Sequence, residues 1–214
     1  MTSTTNNVTD KGITGNIRPA TLVRLHKLGF KLVPLSMDNG VVISWNLVYE
    51  EPDYWSAEKL VSTYHKFKKV ATVFGKTHVK DEQGLDLYLN GFDGDSAYVN
   101  QILDSDQIQD LIVRDKIQNL ISKSGSKSLF DFLVRNTVVV KTKKKFGLHF
   151  YWFSHQQNPR IRTEYCIAGR EFEIKTDKGS GHCTLPPSTH RDDPQFRYSH
   201  VGREDKIAVL DDLY

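Results

Sequence analysis

The stretch Leu85-Asp86-Leu87-Tyr88-Leu89-Asn90-Gly91-Phe92-Asp93-Gly94-Asp95-Ser96 constrains this chain more than any other. It reads as a strand that runs into two acids and stops. Alternate side chains of a strand share a face, so Asp93 and Asp95 point the same way, about 7 Å apart along the backbone. Two aligned carboxylates with no cation between them repel each other, which costs free energy or raises one pKa. A pair of divalent ions relieves that repulsion and can clamp a phosphoryl-transfer centre. The plainer alternative is a surface Asp-Gly-Asp turn, so the rest of the chain has to supply the missing parts.

A chain of 214 residues makes one domain or two small lobes around a cleft. Its 38% hydrophobic and 11% aromatic content is enough for a real core rather than a disordered chain. Formal charge is only +3, from 29 basic and 26 acidic residues, so nucleic-acid binding must be argued from local clusters. Cys166 and Cys183 alone exclude a disulfide framework and a four-cysteine zinc site. They can pair, join a histidine such as His182 on one metal, or remain free thiols, the commonest state. The first residues are polar and lack an apolar signal core, and no apolar run nears the ~20 residues that span a bilayer. The expectation is a soluble intracellular protein with no membrane partner.

Residues 1–16, rich in Ser, Thr and Asn, read as a flexible tail. Pro19 suits a helix's first turn, with Leu22, Leu25 and Leu28 near one face and Gly29 as its end. Residues 30–35 read as a strand, Asp38-Asn39-Gly40 as a turn, and residues 41–45 as the partner strand. Residues 56–69 carry a helical pattern, with Lys66, Lys68 and Lys69 at its C-terminal end, where the helix dipole favours them. A strand over 70–74 ends at Gly75-Lys76-Thr77. That tripeptide is no P-loop, because Val70 stands where the first glycine belongs. After the acids, residues 96–103 and 106–122 look helical, 122–128 a loop, 129–134 a short helix and 137–140 a buried strand. Residues 170–176 alternate as a strand with Glu171, Glu173 and Lys175 on one face. Residues 182–185 read as its hairpin partner, and 196–198 as a last short strand. Residues 205–214 look like the start of a C-terminal helix.

The run Lys141-Thr142-Lys143-Lys144-Lys145 precedes a strand whose alternate positions are Gly147, His149, Tyr151 and Phe153. A solvated charge run is the usual meaning of such lysines. Here the run sits in a hairpin-like loop that opens onto a histidine, where ammonium groups and an imidazole can grip a polyphosphate.

Three pieces stand in one order: Asp93-Gly94-Asp95 after a strand, Gly147-Leu148-His149 on a strand, and Phe172-Glu173-Ile174-Lys175 followed by Leu185-Pro186-Pro187-Ser188. This order resembles the catalytic domain of bifunctional DNA primase-polymerases of the archaeo-eukaryotic primase superfamily. Leu28-Gly29-Phe30-Lys31-Leu32-Val33-Pro34-Leu35 resembles the family's opening, and residues 71–75 its strand ahead of the acids. The resemblance spans roughly residues 20 to 200. It implies that Asp93, Asp95 and Glu173 are the catalytic acids and ligands of two Mg²⁺ or Mn²⁺ ions. It implies that His149 contacts the nucleotide's phosphates, with Lys145, Gly147, Lys175 and Ser188 beside it in the nucleotide site. In the second motif, Lys144-Lys145-Phe146-Gly147 departs from the Ser that often precedes the histidine.

The expected fold class is therefore α/β (α+β): a two-lobed primase-type catalytic domain over residues 17–204, with mixed and antiparallel sheets, an RRM-like catalytic lobe, Asp93 and Asp95 on the N-terminal lobe, His149 and Glu173 on the second, and the active site in the cleft between them. The implied function is template-directed nucleotidyl transfer as DNA primase and polymerase, with DNA template and primer, dNTPs or NTPs, and a helicase or C-terminal helical domain as partners. Related chains carry such a helical domain after the catalytic one. The expectation follows that these 214 residues extend primers better than they start them. The alternatives are a non-catalytic nucleic-acid-binding module of the same fold and a metal-dependent nuclease using the same acids.

Overall fold

The structure, a computed structural model, describes residues 16–94, 114–144, 147–157, 164–167, 170–177 and 181–211. Residues 1–15 of the expected tail, the helix over 96–103, residues 106–113 of the expected helix over 106–122, residues 212–214, and both Asp95 and Lys145 lie outside the described residues.

Helix α1 (Pro19–Lys27) begins on Pro19 and buries Leu22 and Leu25. It stops where Gly29 takes a φ of +96°, a conformation that costs a residue with a Cβ. A side chain there would also strike the Phe153 ring at 2.5 Å. Strand β1 (Lys31–Leu35) follows, fully buried. Its partner is not the expected segment 41–45, which makes only a single bridge, Leu35 to Val41, before helix α2 (Trp45–Glu50). The partner is instead β2 (Lys69–Val73), antiparallel across the whole of β1. The expected helix over 56–69 is shorter: α3 (Ala57–Thr63), capped by the Ser56 hydroxyl, then a 3-10 turn at Tyr64–Lys66. Lys69 therefore belongs to β2. It is buried, and its ammonium donates to the Asn39 side chain at 2.9 Å rather than sitting at a helix end.

Strands β3 (Gly75–Lys80) and β4 (Asp86–Gly94) form a hairpin. Helices α4 (Arg114–Ser124) and α5 (Leu129–Asn136) lead to β5 (Val139–Lys141), which turns into β6 (Leu148–Ser154). Then come β7 (Glu164–Ile167), β8 (Arg170–Lys175) and β9 (Cys183–Leu185), followed by β10 (Ser199–His200) and β11 (Ala208–Val209). Two expectations fail here. β9 is not the hairpin partner of β8 but the third strand of the small sheet, antiparallel to β2. Residues 208–209 are a strand laid parallel on β6, not the start of a helix.

The architecture is mixed α/β on antiparallel sheets. Among the described residues the small sheet runs β1-β2-β9. The large one has eight strands, ordered β10-β5-β6-β4-β8-β7, with β3 on β4 and β11 on β6. Strand alternation decides what each face of the large sheet buries. Phe92, Phe150, Trp152, Phe172 and Ile174 pack with Leu129, Phe132 and Leu133 of α5. Leu87, Leu89, Tyr151 and Phe153 point the other way and pack with Leu22, Leu25, Leu32, Val70, Phe74 and Leu185. The small sheet's far face, Val33, Leu35, Ala71 and Val73, packs on Val48 of α2. Asn90 and Gly91 interrupt the apolar run of β4 for packing reasons. Asn90 is buried and its amide donates to Tyr88 O and Ser154 Oγ. A Cβ on Gly91 would lie 2.4 Å from the Phe74 ring, so glycine is what lets the two sheets close. No helix among the described residues is long and apolar enough to cross a membrane.

Candidate functional site

Asp93 and Gly94 do not form a surface turn; both lie inside β4, paired on each side. The register sets Asp93 directly opposite His149 of β6 and directly opposite Glu173 of β8. Opposed residues of antiparallel strands share a face. Glu173, Asp93 and His149 therefore form a row across three adjacent strands of one sheet, and do not face each other from two lobes across a cleft as expected. Lys175, two residues beyond Glu173 on the same face, stands opposite Gly91. The row lies at the end of the inner face, where β9 of the small sheet meets it and brings in Cys183.

The distances make this one electrostatic unit. His149 Nε2 is 3.0 Å from Asp93 Oδ1, and the Tyr151 hydroxyl is 3.4 Å from His149 Nδ1. The Lys175 ammonium is 3.8 Å from Asp93 Oδ2 and is ion-paired with Glu173. The Cys183 thiol donates toward Asp93 Oδ2 at 3.9 Å. Burial pushes the Asp93 carboxyl up, but His149, Lys175 and the Cys183 thiol outweigh it and hold the group at about 2. Burial pulls the Lys175 ammonium down, and Cys183, Asp93 and Glu173 together reverse that and raise it. Burial, with Asp93 beside it, pushes the Cys183 thiol well up. Burial and the nearby Lys175 charge lower His182, whose ring meets Trp45 edge to face at 5.0 Å.

Outside this row the rings of His149, Tyr198 and His190 form a column, with neighbouring centroids 6.1 and 6.3 Å apart and planes within 28°. The column borders a cavity of about 360 Å³ lined by Thr142, Lys143, Lys144, His190 and Tyr198. Lys143 and Lys144 of the run thus line a cavity whose Tyr198 wall stacks on His149. Gly147 is a packing glycine: a Cβ there would lie 2.1 Å from Thr142 Oγ1 and 3.2 Å from Gly94 O. Ser188 is not brought to the row by any described contact. It is buried, and its hydroxyl accepts from Val70 N at 2.8 Å and donates to Val70 O at 3.1 Å.

Of the residues expected at the site, Asp93, His149, Glu173 and Lys175 come together. Cys183, Tyr151 and Tyr198 are additions. Tyr151 follows from His149 by strand alternation. Cys183 could not be placed there while β9 was expected to pair with β8. A scan against protein-family models finds no match, and a search of curated proteins finds no matching sequence.

Proposed function

We propose that this chain is a metal-dependent nucleotidyltransferase that copies a DNA template from dNTPs or NTPs, a primase-polymerase of the archaeo-eukaryotic primase type. The observation that carries this reading is the register: Glu173, Asp93 and His149 stand side by side on β8, β4 and β6. Acids for cations and an imidazole for phosphate need that adjacency, and three separate sequence motifs supply it. In the same reading the large sheet belongs to the RRM-like catalytic lobe and the small sheet to the second lobe.

The donor set fits Mg²⁺ or Mn²⁺, which prefer carboxylate oxygens. The Lys175 ammonium is paired with Glu173 and Asp93, and ions bound there would displace it. Asp93 and Glu173, with Asp95, would hold two ions. Held there, such ions would supply the charge that lowers the pKa of a primer 3′-hydroxyl and neutralises a leaving pyrophosphate. Tyr151 orients the imidazole from Nδ1, so His149 donates from Nε2 to a phosphate oxygen, the position the Asp93 carboxylate holds in this structure. Lys143 and Lys144 line the cavity beyond Tyr198 and would attract the triphosphate's charge. DNA would be held chiefly by its backbone.

A labelled primer annealed to a longer template, with Mg²⁺ or Mn²⁺ and dNTPs, tests the reading. Primers that grow in the order of the template support it. Primers that shorten identify a nuclease, and unchanged primers with retained DNA binding identify a non-catalytic module.

A further inference from the structure

The geometry points to a second kind of metal binding at the row: Asp93, His149 and Cys183 form a three-donor site for one zinc-class transition ion. One ligand atom from each of the three lies within 4.8 Å of the others. The Asp93 carboxylate meets both partners, His149 Nε2 at 3.0 Å through Oδ1 and Cys183 Sγ at 3.9 Å through Oδ2. Zinc bound tetrahedrally at ~2.3 Å to sulfur and ~2.0 Å to nitrogen and oxygen has ligand-to-ligand edges of roughly 3.3–3.6 Å. Separations of up to 4.8 Å exceed those edges, so the donors close around an ion by shifts of about an ångström.

Each donor is already oriented. Cys183 is fixed in β9 at 1% exposure and His149 in β6 at 5%. The Tyr151 hydroxyl stands at the imidazole's other nitrogen, the position a metal-bound histidine ordinarily fills with a hydrogen-bond partner. Asp93 is the most accessible of the three. Lys175, 3.8 Å from Asp93, opposes a cation, but Glu173 pairs it on its other side.

Charge also balances. On binding, the Cys183 S–H bond breaks, its proton goes to solvent and the sulfur bonds the metal. The carboxylate and thiolate then carry −2 against the ion's +2. A thiolate and an imidazole select borderline-soft ions over Mg²⁺. This separates the site from the all-oxygen acids proposed for catalysis. Where that catalytic reading holds, an ion here occupies Asp93 and His149 together, so Zn²⁺ inhibits Mg²⁺-supported extension.

The test does not require activity. The full chain is titrated with Co²⁺ without added thiols or oxygen, and the absorption spectrum is followed. The expected result is one equivalent bound, with a sulfur-to-cobalt charge-transfer band and the intense visible bands of tetrahedral cobalt. Zn²⁺ displaces it and excess Mg²⁺ does not. Cys183→Ser abolishes the charge-transfer band. His149→Gln keeps the thiol and weakens binding at least about tenfold, so it provides the second variant should Cys183→Ser unfold. No charge-transfer band in the wild-type chain overturns the proposal. So does a band that survives Cys183→Ser, which would assign the sulfur to Cys166, or cobalt affinity unchanged in His149→Gln.

Discussion

Asp93 and His149 face each other directly across β4 and β6, with 3.0 Å between carboxylate oxygen and imidazole nitrogen. Residues so opposed act on the same small volume, so a change in one is read by the other. In the proposed reaction the imidazole works on the nucleotide, not on DNA. His149→Ala should therefore lower kcat/KM for dNTPs by about ten- to a hundredfold and leave primer–template affinity nearly unchanged without nucleotide. Stopped-flow or steady-state extension kinetics beside a DNA-binding titration measure both. Loss of DNA affinity with intact dNTP kinetics would move His149 into the DNA groove.

Gly147 is fixed by space rather than chemistry. Gly147→Ala drives a methyl into Thr142 Oγ1 and toward Gly94 O at the end of β4. Overpacking of this kind costs about 1–3 kcal/mol. Thr142→Ala removes the nearer clashing atom, so the double variant should recover part of the loss. A double-mutant cycle by denaturant unfolding checks it, and strict additivity would contradict the contact.

His155 ties the C-terminal strand to the β3–β4 turn: its Nδ1 is 2.7 Å from Asp211 Oδ2 and its Nε2 is 2.9 Å from Asp81 Oδ2. Hydrogen bonds to Asp211 and Asp81 raise its pKa above the usual 6.5. A raised folded pKa means the stabilisation is complete below the unfolded value and disappears as pH climbs through the folded one. His155→Gln should flatten that part of the Tm-against-pH curve above about 6.5. Identical curves for the two proteins would show that the clasp contributes nothing.

His26 has the opposite sign. Its ring stacks on His78 at 3.7 Å, and burial, with the His78 charge, lowers its pKa to about 4. The unfolded chain then binds a proton that the folded chain refuses, so stability falls as pH drops from about 6.5 toward 4. His26→Gln should lose less Tm over that interval than the wild-type protein. A steeper loss in the variant would contradict the assignment.

Local periodicity made the faces legible, while the joining of these residues in one site was only what the family resemblance implies. Alternation in β4, β6 and β8 aligned Asp93, His149, Glu173 and Lys175 with their faces, and Pro19 and Gly29 marked both ends of α1. Partner choice was not legible, because it depends on contacts far apart in the chain. Cys183–Leu185 alternates as well for a hairpin with β8 as for the small sheet, and only burial against Val70 and Phe74 selects the latter. Residues 41–45 are apolar enough for a strand, yet only Val41 bridges to the outer edge of β1 before α2 begins at Trp45. The same limit hid Cys183 from the site. Nor does local pattern explain Gly91 within β4, whose missing side chain leaves the space that Phe74 occupies.

The central claim is that Asp93 and Glu173, adjacent across β4 and β8, jointly hold the catalytic cations. Single-turnover primer extension over a range of Mg²⁺ and Mn²⁺ concentrations, with Asp93→Asn and Glu173→Gln beside the wild-type chain, tests it most directly. Template-ordered extension by the wild-type chain is expected, with a loss of about a hundred- to a thousandfold in each variant and melting curves that show both still folded. Wild-type rates in both variants at every metal concentration would contradict the account.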